Sequence, residues 1–125
     1  TNLLRGVLRQ NADAEGVARV GTNLGELMCF FPSALKAGHT TALVVRPEHI
    51  AIAKSNGAAP VAQPRVNWLP GTVMRETYLG EIVEFLVAVE GGDMLVRSAL
   101  AGDVANGDAV SLTFPAERTI ALMEG

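Results

Sequence analysis

The sequence contains few of the residues that carry metal, redox or thiol chemistry. Of its 125 residues one is cysteine and two are histidine, so an internal disulfide is impossible. Zinc sites draw on several Cys and His ligands at paired spacings, and His39, His49 and Cys29 have no such spacing. We therefore predict no metal site. Cys29 lies in the apolar run Leu27-Met28-Cys29-Phe30-Phe31, which predicts an inert core residue.

Lysine is also scarce, and its placement excludes one class of activity. A P-loop delivers backbone N–H groups to phosphates from a glycine-rich turn and places a lysine directly after a glycine. The two lysines here, Lys36 and Lys54, follow Leu35 and Ala53. The chain cannot supply a P-loop, and we expect a segment that is not an enzyme and binds no cofactor, ATP included.

Long apolar runs and clustered positive charge are absent as well. The longest uninterrupted apolar runs, 27–31 and 85–89, fall far short of the roughly 20 residues that span a bilayer, so we expect no direct membrane insertion. The net charge is −3, and the basic residues are scattered singly, which makes nucleic acid an unlikely partner. Apolar residues form 49% of the chain and charged residues 18%, which is compatible with a well-filled core or with a covered interface.

What the sequence does contain is a series of short strand signals. The clearest is 82–89, where Val83, Phe85 and Val87 recur at every second position. A glycine-containing turn at 90–93 then predicts a hairpin. Similar runs predict strands at 3–8, 16–20, 26–31, 41–45, 50–53, 71–78, 94–97, 110–114 and 118–123. No window of eleven residues has a helical period, so we predict an all-β barrel or sandwich of about ten strands with little or no helix.

One segment resembles a linker. Residues 54–65 are rich in alanine and include Pro60 and Pro64, a composition that is typical of loops. The length of the chain fits one domain. We therefore predict a single domain, 1–125, with two β lobes, 1–53 and 66–125, joined by this loop. Trp68 follows the loop and is the one aromatic residue whose position suggests either a barrel cap or a partner contact.

Four short phrases occur in order at predicted strand ends and turns: Asn2-Leu3-Leu4-Arg5-Gly6, Arg46-Pro47-Glu48, Gly71-Thr72-Val73 with Leu79-Gly80, and Gly107-Asp108. In this order they resemble the transport-associated OB (TOBE) domain at the C-terminal end of the ATP-binding subunits of ABC importers. The residues of these phrases favour a structural role, because glycines relieve strain at strand ends and Pro47 ends a strand. We expect Arg46 and Glu48 to form a charge pair, to hold a neighbouring loop, or to be two exposed charges worth well under about 1 kcal/mol.

The resemblance implies OB-like lobes, a homodimer and a regulatory role without catalysis. It also implies an upstream ATPase domain before Thr1 as a partner, contact with membrane permease subunits through that domain, and a cytoplasmic location peripheral to the inner membrane. The opening phrase favours an importer of the polyamine or iron type. An alternative function is a small-ligand sensor, in which backbone N–H groups near Gly91, Gly92 and Gly107 bind an oxyanion or metabolite.

Overall fold

Ten strands make up most of the part of the chain that the structure describes, as the sequence predicts. The structure is a computed structural model that describes residues 1–30, 37–55, 61–99 and 103–123. The strands are β1 (Asn2–Gln10), β2 (Val17–Thr22), β3 (Gly25–Phe30), β4 (Thr40–Val45), β5 (Ala51–Lys54), β6 (Val66–Leu79), β7 (Ile82–Val89), β8 (Gly92–Ala99), β9 (Ala109–Pro115) and β10 (Thr119–Met123). Helix within the described ranges is confined to single 3₁₀ turns at Pro47–His49 and Ala116–Arg118. The predicted all-β, OB-like fold class is confirmed.

The strands form a closed barrel and a second sheet. The barrel has the order β1-β2-β3-β10-β4, and the sheet has the order β5-β9-β6-β7-β8. Neighbouring strands pair antiparallel except β3 and β10, which meet in parallel at Phe30 and Ile120. The turn Pro47–His49 packs against β8, so it covers the side of the second sheet where β8 would otherwise present an open edge.

The fold consists of two copies of one unit. In each copy four antiparallel strands lead into a 3₁₀ turn, and the turn leads into a fifth strand that joins the other copy. Thus β5 pairs with β9 in the second sheet, whereas β10 pairs with β4 in the barrel. The two 3₁₀ turns begin after residues with extended backbone, Arg46 and Pro115, and they redirect the chain across the molecule.

The two sheets divide the chain differently from the predicted lobes. The ranges 1–53 and 66–125 do not correspond to the two sheets, because β5 belongs with the later strands and β10 with the earlier ones. The loop 54–65, of which 56–60 lie outside the described residues, therefore connects two strands of the same sheet. Sequence order could not reveal this, since a strand signal states which residues are extended and not which strand they pair with.

A single core runs through both sheets. The fully buried side chains of β7 and β9 come from alternate positions, Val83, Phe85 and Val87 in one and Val110, Leu112 and Phe114 in the other, as their alternation predicts. In the barrel, Leu8, Val20 and Leu43 belong to the same continuous cluster. Because the core is shared, the two sheets bury their inner faces together.

Candidate functional site

Two asparagine side chains join the two copies of the unit. Asn2, at the start of β1, donates from Nδ2 to the Leu95 carbonyl and accepts from the Leu95 N–H, both at 2.8 Å. Asn67, in β6, makes the same pair of bonds with Met28, again at 2.8 Å. Each side-chain amide bonds as a peptide group of a neighbouring strand would, and it satisfies the backbone N–H and carbonyl of Leu95 in β8 or of Met28 in β3. Asn2 and Asn67 are 7% and 4% exposed, so these bonds are well shielded from water.

Gly6 and Gly71 occupy matching positions of close backbone approach. A Cβ atom on Gly71 would lie 2.6 Å from Val87 Cγ1 and 2.7 Å from the Ala88 carbonyl oxygen. A Cβ atom on Gly6 would be equally crowded by Val20 Cγ1 and the Gly21 carbonyl. Both glycines lie four residues after a bridging asparagine, and they let the strand pass tightly over its hairpin partner.

The Arg46-Pro47-Glu48 phrase forms the first 3₁₀ turn. Pro47 is buried, whereas Arg46 and Glu48 are exposed. A hydrogen bond from its own backbone N–H lowers the pKa of Glu48 below its ordinary value, and the charges of Arg46, His49 and Arg97 act in the same direction. Arg97 belongs to β8, so the carboxylate faces positive charge from the strand that this turn covers. The arrangement is suited to holding a strand end.

The Gly107-Asp108 phrase forms a turn tied to β6. The Gly107 N–H donates to the Val73 carbonyl at 2.8 Å, and the Val73 N–H donates to the Asp108 carbonyl at 3.0 Å. The Asp108 carboxylate accepts from the Ala105 N–H at 3.0 Å and lies 3.7 Å from Lys54 Nζ. The amide of Gly107 is thus already bonded, which removes it from the set of free donors considered for an oxyanion site.

Leu79 and Gly80 lie at the end of the β6–β7 hairpin, apart from the other phrases. Gly80 has φ +79°, a backbone conformation that glycine adopts without a steric cost. The side chains around it are apolar and exposed: Tyr78 is 65% exposed, Leu79 51% and Ile82 45%. The equivalent hairpin end in the first copy carries Asp13 and Glu15 instead. The phrases therefore mark several strand ends and turns, and the structure does not gather them into one catalytic centre.

A groove of about 470 Å³ lies on the outer face of the second sheet. Its floor consists of small side chains of β5 and β9, and Trp68 of β6 forms one wall. Trp68 Nε1 is the one buried side-chain nitrogen or oxygen of the described residues that has no hydrogen-bond partner. The sequence leaves the role of Trp68 open between a barrel cap and a partner contact, and the structure places it at this groove.

The described residues give little support for a reactive thiol or a metal site. Cys29 is fully buried, and burial raises the pKa of its thiol to about 11, against a smaller lowering from a hydrogen bond with the Ala18 backbone. Within residues 1–30, 37–55, 61–99 and 103–123, His, Cys, Asp and Glu side chains form no group of three or more that could hold a metal ion. The same ranges contain no helix long and apolar enough to span a membrane.

Sequence reasoning missed Asn67, although a signal for it exists. Asn2-Leu3-Leu4-Arg5-Gly6 and Asn67-Trp68-Leu69-Pro70-Gly71 share the pattern Asn-x-Leu-x-Gly. Comparing the chain with itself would have identified the repeat and predicted matching roles for the two asparagines.

Comparisons with known proteins agree with this architecture. A family model described as TOBE domain matches residues 43–122, from β4 to the end of β10. Among solved structures, the cytoplasmic molybdate-binding protein ModG, in a crystal form with molybdate bound, superposes with a TM-score of 0.81. The alignment covers 98% of this chain and 96% of that chain at 17% identity, so it bears on the fold alone. No curated protein sequence matches the chain. The family match spans well over half of the residues, and the chain belongs to the TOBE domain family.

Proposed function

We propose that this chain is the C-terminal regulatory and dimerisation domain of the ATP-binding subunit of an ABC importer. Membership of the TOBE family supports a regulatory β domain, and the four phrases resemble the form of that domain found in importer ATPases. In this proposal ATP binds to and is hydrolysed by an upstream domain, which also contacts the permease. The complete subunit is cytoplasmic and peripheral to the inner membrane, and the opening phrase favours a polyamine or iron system.

The observation that supports dimerisation is the exposed apolar end of the β6–β7 hairpin. Leu79 and Ile82 face each other across the two strands, and both are about half exposed. Exposed apolar clusters of this kind are characteristic of protein interfaces. The matching hairpin of the first copy is polar, so the fold does not require apolar side chains here, and we assign them to contact with a second copy.

Sedimentation velocity tests this assignment. The chain is expected to form a dimer, and Leu79→Glu with Ile82→Glu should convert it to a monomer by placing charges in the interface. Ala14→Glu, at the end of the polar β1–β2 hairpin, is the matched control and should leave the dimer intact. A strict monomer at high concentration that stays monomeric when the ATPase domain is restored would contradict the proposal.

A second candidate function, a small-ligand sensor, is supported by the fold shared with ModG, whose crystal form contains molybdate. The Gly107 N–H is bonded to Val73, so an oxyanion would have to use other donors. Calorimetry with molybdate, sulfate and spermidine tests this candidate. Heat from a saturable site would support it, and no heat at millimolar ligand would remove it.

A further inference from the structure

The outer face of the second sheet can be compared with the outer face of the barrel, which is the equivalent surface in the first copy of the unit. In both copies this face is built from strands in the same order and register, and cross-strand triplets can be compared position by position. In the barrel the triplets are Leu3–Val44–Ile120 and Arg5–Ala42–Leu122, and in the second sheet they are Trp68–Thr113–Ala51 and Pro70–Ser111–Ala53.

The groove beside Trp68 lies where the side chains of β5 are smaller than those of β10, the equivalent strand of the barrel. Positions that hold Ile120 and Leu122 in the barrel hold Ala51 and Ala53 in the second sheet. The segment 61–63 then lies along the groove and contributes to its lining. The turn that follows is anchored, because the Ala116 N–H donates to the Arg65 carbonyl at 2.8 Å. The second sheet therefore has a small-residue floor, an aromatic wall and a side formed by the chain itself.

The lining has the chemistry of a site for a neutral molecule. The described residues around the groove are apolar apart from Gln63, Ser111 and Thr113, and none of them is charged. A volume of about 470 Å³ lies within the range of small-molecule sites, which combine an apolar lining with a few polar groups. Ala51 and Ala53 are exposed, so the floor is reachable from solvent.

We propose that this groove, which we call the Trp68 groove, binds a neutral, mainly apolar small molecule that carries one or two hydrogen-bonding groups. The Ser111 and Thr113 hydroxyls and the Gln63 amide orient the polar groups, and the indole of Trp68 packs against the apolar part. Because none of the described lining side chains is positively charged, we expect anions, molybdate included, to bind there weakly. The inference is independent of the proposed importer function.

Trp68 Nε1 adds a second observation. This donor is buried without an acceptor, and a buried donor that lacks its bond destabilises the empty state. The atom is covered in the present conformation, so an acceptor on the ligand reaches it only after the side chain or its surroundings rearrange. Binding is therefore expected to change the environment of the indole as well as to fill the groove.

Fluorescence provides the direct test, because Trp68 is the only tryptophan. The probe is N-phenyl-1-naphthylamine, a neutral aromatic amine that accepts excitation energy from tryptophan. Titration of the intact chain is expected to give saturable, energy-transferred emission with one site per chain. Addition of excess molybdate should not displace the probe.

Filling the groove should weaken binding of the probe. Ala51→Ile with Ala53→Leu introduces the residues found at the equivalent positions of the barrel, and we expect affinity to fall by about tenfold or more, since the loss of about two methylene contacts has this effect. Ala99→Leu, an exposed alanine of β8, is the matched control and should bind normally. Far-UV circular dichroism checks folding, and if the double variant is unfolded, Ala53→Leu alone is expected to weaken binding.

Two results would overturn the proposal. The first is no saturable transfer with the unmodified chain, which would mean that the groove is closed in solution. The second is equal binding by the unmodified chain and a folded groove-filling variant, which would place the probe elsewhere. Loss of binding in the filled variant, with the Ala99→Leu control unaffected, is the outcome that supports the Trp68 groove.

Discussion

At the scale of single residues, the bridging asparagines determine how the two copies of the unit are joined. A side-chain amide has the same donor and acceptor pair as a peptide group, which explains how Asn67 can satisfy both polar groups of Met28. Asn2 does the same for Leu95 from the opposite copy. No other neutral side chain of this length offers a donor and an acceptor together, so substitutions at these positions should be costly.

Replacing Asn67 tests this role. Asn67→Ala leaves the N–H and carbonyl of Met28 without partners in a partly buried site, and we expect a loss of about 1–3 kcal/mol in the free energy of unfolding. Urea denaturation measures it. Asn106→Ala, in an exposed turn, should cost less than about 1 kcal/mol. Equal and small effects for the two variants would show that water replaces the bonds to Met28.

Cys29 makes the stability depend on pH in the alkaline range. Burial raises the pKa of its thiol from 9.0 to about 11, so the folded protein holds this proton more tightly than the unfolded chain. Below pH 9 both states are protonated and this stabilisation is complete. Between pH 9 and pH 11 the unfolded chain ionises first, and stability should fall.

The measurement compares the chain with Cys29→Ala. Other groups titrate in this range in both proteins, so the difference between their stability curves isolates the thiol. The variant starts less stable because it leaves a cavity, and its curve should be flatter between pH 9 and pH 11. Curves that stay parallel across this range would contradict the assignment.

At the scale of elements, β6 is the strand whose geometry is most constrained. It pairs with β9 along its first half and with β7 along its second half, and Gly71 lies where the two pairings overlap. The carbonyl oxygen of Ala88, 2.7 Å from where a Cβ of residue 71 would lie, belongs to a backbone that cannot rotate away. A side chain at this position must therefore shift the strand itself.

Gly71→Ala should lower stability by about 1–3 kcal/mol, the usual cost of overpacking. The neighbouring exposed residue provides the control, because Thr72→Ala should change stability by no more than about 0.5 kcal/mol. Thermal unfolding monitored by circular dichroism measures both. A Gly71→Ala variant as stable as the Thr72→Ala variant would mean that β6 and β7 separate easily.

The elements also show how far the sequence could predict this fold. Alternation and runs of apolar or β-branched residues predict ten strands, yet the prediction begins β6 at Gly71, whereas the strand begins at Val66. Pro70 lies directly before Gly71, and proline usually interrupts a strand. In the structure Pro70 pairs with Ser111 of β9, and β7 ends opposite Gly71, so β6 is locally an edge where proline is tolerated.

The functional features also differ in whether the sequence could predict them. The turns at Gly80 and Gly107 were predictable, because glycine at a strand end is a local signal. The Trp68 groove was not, since its floor comes from β5 and β9, its wall from β6 and its side from residues 61–63. A groove made of separate segments depends on strand pairing, and short side chains such as Ala51 give no sequence signal of their own.

At the scale of the whole molecule, the exchanged strands make the two sheets dependent on each other. The barrel needs β10, which comes from the far end of the chain, and the second sheet needs β5. Both sheets also share one hydrophobic cluster. We therefore expect a single cooperative unfolding transition, with calorimetric and van't Hoff enthalpies that agree.

Removing β10 tests this dependence. Deletion of residues 119–125 takes away the strand that pairs with β4, exposes the edge of β4 and opens the barrel. Hydrogen exchange should then accelerate in β1 and β4, although both lie more than seventy residues away in sequence. Unchanged protection of these strands, with loss confined to the second sheet, would show that the barrel is complete without β10.

The exchange of β5 and β10 between the two copies also determines whether the fold can form from a single chain. A chain containing only one copy of the unit would lack the strand that completes its own sheet, and two such chains would have to trade their last strands. That assembly would depend on concentration and fail on dilution. Joining the two copies through residues 55–65 makes the exchange intramolecular, so its effective concentration is fixed by the linker. The complete fold therefore forms at any dilution. One chain contains both copies of the unit, and its outer surfaces stay available for other partners.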